Sequence, residues 1–112
     1  MAGCSTTSIT NLTPSQQTRT PSGLYPFEVA WKSRQQSIRP QSLKPYVIIG
    51  FDAYSMQPTP LVKNRWETLV PVPADKDIVN YHFKVDFEYN AIPVPRSNSK
   101  LSQGYRLKIK DK

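Results

Sequence analysis

Ile78-Val79-Asn80-Tyr81-His82-Phe83-Lys84-Val85-Asp86-Phe87-Glu88-Tyr89 is the stretch on which the fold turns. Val79, Tyr81, Phe83, Val85, Phe87 and Tyr89 alternate strictly with Asn80, His82, Lys84, Asp86, Glu88 and Asn90. A period of two sends successive side chains to opposite faces, so the segment predicts a long β-strand with one dry and one wet side. Its apolar side is aromatic and β-branched, which suits a pleated surface packed against a second sheet, and this predicts an all-β sandwich.

The same pattern recurs on either side. Tyr25, Phe27, Val29 and Trp31 alternate with Pro26, Glu28, Ala30 and Lys32, giving a first strand after the Pro21-Ser22-Gly23 boundary; Pro26 predicts a sheet edge there. Ser33 to Lys44 is polar and basic and contains Pro40, so it reads as a connecting loop. Pro45 to Ala53 is nearly continuous in apolar residues, as expected of a central strand, with Gly50 marking a bulge or a close approach of chains. Arg65 to Val72 predicts a strand around Trp66, and Gly104 to Lys110 a closing strand with Tyr105, Leu107 and Ile109 inward and Arg106, Lys108 and Lys110 outward. Pro58-Thr59-Pro60, Pro71-Val72-Pro73 and Pro93-Val94-Pro95 fall near strand ends, where proline removes a ladder donor and blocks edge pairing. Residues 23–112 are thus expected to form an immunoglobulin-like sandwich of about seven antiparallel strands.

Size and composition narrow the function classes. The chain has 112 residues, which suits one domain without a large internal cavity, so a ligand is expected on a face or among loops. The single cysteine, Cys4, rules out an intrachain disulfide. The longest apolar run, Val47 to Phe51, is far short of the roughly 20 residues a spanning helix needs. A net charge of +7 favours anionic partners in general, but the basic residues are scattered without a block, so a specific nucleic-acid partner is not expected.

Residues 1–22 contain ten Ser or Thr with few apolar side chains, which predicts a disordered polar tether. Within it Ala2-Gly3-Cys4, followed by Ser5-Thr6-Thr7-Ser8, resembles the lipobox junction of bacterial lipoproteins, with Met1 standing where Leu is usual. The resemblance implies that Cys4 is the lipid-attachment residue, that the membrane is met only through this anchor, and that the protein sits in the bacterial cell envelope, in the outer membrane or periplasm. Acyl chains contribute about 0.8 kcal/mol per buried methylene, and a flexible leader would hold the domain away from the bilayer.

Catalysis needs convergent groups, and the inventory holds one histidine, His82, and scattered carboxylates. Asp75 and Asp77 flank Lys76 in an apparent turn and are too few to hold calcium. His82, Lys84, Asp86 and Glu88 read as a solvated strand face. No catalytic residue, metal site or cofactor is therefore expected. Exposed aromatics are the better binding candidates: Trp66, set among Arg65, Glu67 and Thr68, and Tyr54, beside the proline-rich turn, are the expected ligand-binding residues.

Trp66-Glu67, then Val70-Pro71-Val72-Pro73-Ala74, then Tyr81-His82-Phe83-Lys84-Val85-Asp86 resembles the second half of early-set immunoglobulin-like domains, found beside glycan-active enzymes and in starch- or glycogen-binding modules. That family's sugar-stacking tryptophans after the Asp have no counterpart, since Phe87-Glu88-Tyr89-Asn90 follows. The expectation is a non-enzymatic, monomeric envelope lipoprotein whose sandwich contacts another protein or an envelope glycan. The alternative is a carbohydrate-binding module using exposed aromatics.

Overall fold

A computed structural model describes residues 7–111; the lipid-attachment candidate Cys4 and its neighbours Ala2 and Gly3 lie outside the described residues. The strands are β1 (Ser8–Asn11), β2 (Gln16–Thr18), β3 (Leu24–Lys32), β4 (Lys44–Ile49), β5 (Asp52–Ser55), β6 (Gln57–Pro58), β7 (Arg65–Pro71), β8 (Ile78–Tyr89), β9 (Arg96–Leu101) and β10 (Tyr105–Lys110), with a 3-10 turn at Pro40–Ser42. One sheet has the order β1-β3-β7-β6; the other runs β2-β10-β8-β4-β5, with β9 also paired to β8. This is the strand order of an immunoglobulin-like sandwich. The all-β expectation holds, and the alternating stretch Ile78–Tyr89 is one strand over its whole length.

The core fills the space between the sheets with the residues the alternation marks as inward. Tyr25, Phe27 and Val29 of β3 meet Val47, Val70, Tyr81, Phe83, Leu107 and Ile109, all buried. Aromatic edges do much of the packing: the Phe27 and Tyr81 rings lie 4.9 Å apart at 84°, and Tyr81 and Phe83 5.6 Å apart at 81°, the edge-to-face geometry that ring quadrupoles favour. A second cluster of Trp31, Ile38, Val85 and Phe87 sits at the other end, with Trp31 and Phe87 5.7 Å apart.

Residues 1–22 as a disordered tether is corrected for the part described, because Ser8–Asn11 and Gln16–Thr18 are strands, one in each sheet. β1 pairs antiparallel with Val29–Lys32 of β3, and β2 runs parallel to Lys108–Lys110 of β10. The crossing between sheets is built from polar residues. Thr13 N–H donates to Asn11 Oδ1 at 3.0 Å, while the Thr13 hydroxyl both donates to Glu28 O (3.1 Å) and accepts from Glu28 N–H (3.0 Å), taking the place of a ladder partner. Short polar side chains that bond backbone in this way favour turns. Arg19 then closes the segment, with Nη2 2.6 Å from Asp77 Oδ1, Nε 2.5 Å from Asp111 Oδ1 and Nη1 donating to Ala74 O at 2.8 Å. The bond to Asp111 foremost, and Asp77 with it, holds the guanidinium pKa above its ordinary value.

Two further differences concern edges. Pro45 to Ala53 is not one strand: it breaks into β4 and β5 at Gly50-Phe51, where Gly50 has φ +61. Positive φ at the first central position is what a two-residue type II′ hairpin loop requires, and glycine supplies it without strain. The edge expected at Pro26 is local, since β1 pairs only with the far part of β3; there Pro26 O accepts from Gln17 Nε2 at 3.0 Å. Past Leu101 the β9–β10 edge carries an extra residue: Leu101 lies opposite Lys84 and Tyr105 opposite Tyr81. Ser102 fills this bulge, donating its N–H to Phe83 O at 2.9 Å and accepting Phe83 N–H on its hydroxyl at 2.8 Å.

Tyr81 ties the two sheets together, because its phenol oxygen accepts from Asn11 Nδ2 at 2.9 Å across the sandwich. Burial is the main cause of a pKa above the ordinary 10.0, partly offset by the bond from Asn11. A phenol held protonated in the fold but free to ionise in the unfolded chain contributes stability that is complete below pH ~10 and is lost as pH rises through the folded-state value. Tyr81→Phe is expected to cost about 1 kcal/mol at neutral pH, from the orphaned Asn11 donor, and to flatten the alkaline limb of a urea-midpoint-against-pH curve. An unchanged alkaline slope in the variant would show that another group sets it.

Candidate functional site

A surface groove lies where the β4–β5 hairpin, the β7–β8 loop and the start of β3 meet. It has a volume of about 800 Å³ and is lined by Ile49, Tyr54, Val72, Val79 and Ile78, with Ser22, Pro71, Pro73, Asp52, Lys76 and Asn80 around the rim. Its existence follows from strand lengths. Pairing of β4 with β8 ends at Ile48 opposite His82 while β8 continues to Ile78, so Ile78 is left exposed and Ile49 and Tyr54 only half-buried, above a floor of buried Val72 and Val79. On the opposite wall Gly23, with φ +75, accepts Val72 N–H on its carbonyl at 2.9 Å, and a Cβ there would stand 3.8 Å from Val72 O. The prolines at 71 and 73 stiffen that wall.

Tyr54 lies in this groove, half-buried on β5 beside the core. Trp66 does not. It sits on β7 opposite Val29 and Pro58, half-buried, and packs against both hydrophobic clusters. The two expected ligand-binding aromatics therefore stand in different sheets, and only Tyr54 lines the groove. Phe51, by contrast, is fully exposed on the hairpin tip next to the groove, and within the central apolar run it had no feature to distinguish it.

The outward row of β8 is divided. Lys84 Nζ is 3.6 Å from Asp86 Oδ1, Asp86 also accepts from Ser99 Oγ at 2.6 Å, and Glu88 lies 3.7 Å from Arg39. The other half of that face holds Asn80 and His82 together with Arg106 in a shallow cleft of about 450 Å³. Arg106 and Lys108, directly opposite Asn80 and Ile78, have no ion-pair partner among the described residues. Asp77, considered above as half of a cation site, is engaged by Arg19. Among the described residues no three of His, Cys, Asp and Glu come together, and no helix is long and apolar enough to cross a membrane.

What fold and site define together is an immunoglobulin-like β-sandwich with an apolar groove at one end. Comparisons with protein-family models, with curated proteins and with solved structures return no match.

Proposed function

We propose that this protein is a non-enzymatic lipoprotein of the bacterial cell envelope, anchored through Cys4, whose sandwich binds a partner protein through the end groove. The groove carries the reading: an apolar cleft with few polar groups at its rim suits binding. Polarity of the chain supports it as well. Thr7 Oγ1 meets Ser33 Oγ at 2.7 Å just beyond the end of β3, whereas the groove lies at the start of β3. The nine residues of β3 separate the two ends by roughly 25 Å at about 3.3 Å per residue. A domain anchored near its N-terminus would thus present the groove away from the bilayer. With β1 starting at Ser8, only residues 5–7 separate Cys4 from the sandwich, a reach of at most ~10–15 Å, so an anchored domain would sit close to the membrane rather than on a long tether.

The carbohydrate-binding alternative is supported by the half-buried ring of Tyr54 in the groove and opposed by the packing of Trp66. Amide chemical-shift titration of the full chain with α-glucans, peptidoglycan fragments, extended peptides and a DNA duplex separates the readings. Saturable shifts at Tyr54, Val72 and Val79 with polypeptide alone are expected. The same shifts with a glycan would favour the alternative, and salt-sensitive shifts confined to Arg106, Lys108 and Lys110 would leave only nonspecific charge. In the native host a fatty-acid analogue should label the protein and fail to label Cys4→Ser; absence of label from both would remove the anchor.

A further inference from the structure

β4 stops pairing with β8 at Ile48, opposite His82, yet β8 remains a strand down to Ile78 on its β10 side. The direction of its backbone groups is set at both ends. Glu88 N–H donates to Ser42 Oγ at 2.8 Å and Glu88 O accepts from Arg39 N–H at 2.8 Å, on the side that β4 occupies. Phe83 O and Asp77 O instead accept from Ser102 and Ile109, on the β9–β10 side, at 2.9 and 2.7 Å. In a regular antiparallel strand these directions alternate residue by residue. The N–H and C=O groups of Asn80 and Ile78 therefore point toward the groove, beside the hairpin turn at Gly50-Phe51, and no strand pairs with them.

We infer that the groove is a strand-addition site for an extended partner segment in which apolar residues alternate with acidic ones. This rests on the groove-binding reading above and names its ligand class. An extended polypeptide supplies alternating donors and acceptors at a repeat of roughly 6.8 Å, matching the free edge of β8. Its inward side chains would enter the floor formed by Ile49, Tyr54, Val72 and Val79. Its outward side chains would lie beside Ile78 and Asn80, whose neighbours on β10 are Lys108 and Arg106, cations without a carboxylate partner among the described residues. Lys76 adds a further cation on the rim against the single carboxylate of Asp52. Charge complementarity of this kind selects acidic outward residues and disfavours basic ones.

The test uses the full chain and an acetylated, amidated heptapeptide of alternating Glu and Val. Saturable binding is expected, with the Ile78 and Asn80 amides slowed in hydrogen exchange by at least about tenfold. Replacing each Glu by Lys should weaken binding by roughly tenfold or more. N-methylation of the peptide amides of one parity should abolish binding, and of the other parity leave it intact. Shifts at Tyr54 and Val72 with Ile78 and Asn80 unprotected would overturn strand addition and leave the groove as a binding site. Equal binding of the Lys peptide would overturn the acidic preference that the inference states. No response to the Glu peptide would overturn the inference outright, while the glycan and other peptide arms decide the groove reading separately.

Discussion

A chain beginning at Gly23 should lose on the order of 5 kcal/mol of stability, at about 0.5–1.5 kcal/mol per net hydrogen bond plus the burial given up. The segment removed carries the β1–β3 and β2–β10 pairings, the Thr13 bonds to Glu28, Lys108 N–H to Ser15 O at 2.9 Å and Arg19 N–H to Lys110 O at 2.8 Å. It also carries Ile9, which packs against both hydrophobic clusters, and Asn11, the donor to the buried Tyr81 oxygen. The Arg19 ion pairs add little to this sum, because Asp77 and Asp111 are largely solvated. Since small domains are stable by about 5–15 kcal/mol, most of the margin would go. The truncation would in addition bare the edge of β10, a template for intermolecular pairing. Urea denaturation and gel filtration of the two chains check this. Equal midpoints and a monomeric truncated chain would return residues 7–22 to the role of a passive leader.

Phe83→Ala is the second large effect, expected to cost about 3–5 kcal/mol. Phe83 is fully buried opposite Val47 of β4, with the rings of Tyr81 and Tyr105 at 5.6 and 6.0 Å. Its backbone is pinned on the other side by Ser102, so the strand cannot shift to collapse the cavity. Phe51→Ala provides the contrast on the same residue type. Its ring is 107% exposed on the hairpin tip, and its loss should move stability by less than about 0.5 kcal/mol. A lowered urea midpoint with unchanged slope is the expected signature for Phe83→Ala. A change of under about 1 kcal/mol would mean that neighbouring rings repack into the space.

Strands that separate a dry face from a wet one were legible because burial writes a period of two into them: β8 over its full length, β3 and most of β10, but only the last three residues of β7. β9, Arg-Ser-Asn-Ser-Lys-Leu, was not. It pairs only with β8, and Arg96 and Asn98 are exposed, so nothing selects apolar residues at alternate positions. β1 and β2 were hidden by composition. Their Ser, Thr, Gln and Asn read as disorder, yet Asn11 and Thr13 are the residues that cross between the sheets, and their partners lie 15 to 70 positions away. Tyr54, singled out for its place after the apolar run, lines the groove, whereas the exposure expected of Trp66 was cut by packing from both clusters.

By itself the sequence determined the all-β class, the inward and outward side of the long strands and the proline-marked strand ends, because these follow from local periodicity and from the chemistry of single residues. The tertiary structure alone decided that Ser8–Thr18 belongs to the sandwich, that the apolar run folds back at Gly50, and that β8 outlasts β4 to leave a free edge beside an apolar groove. Each of these depends on which strands lie side by side and how far each extends. That is set by pairing between residues distant in sequence, which a local pattern does not encode.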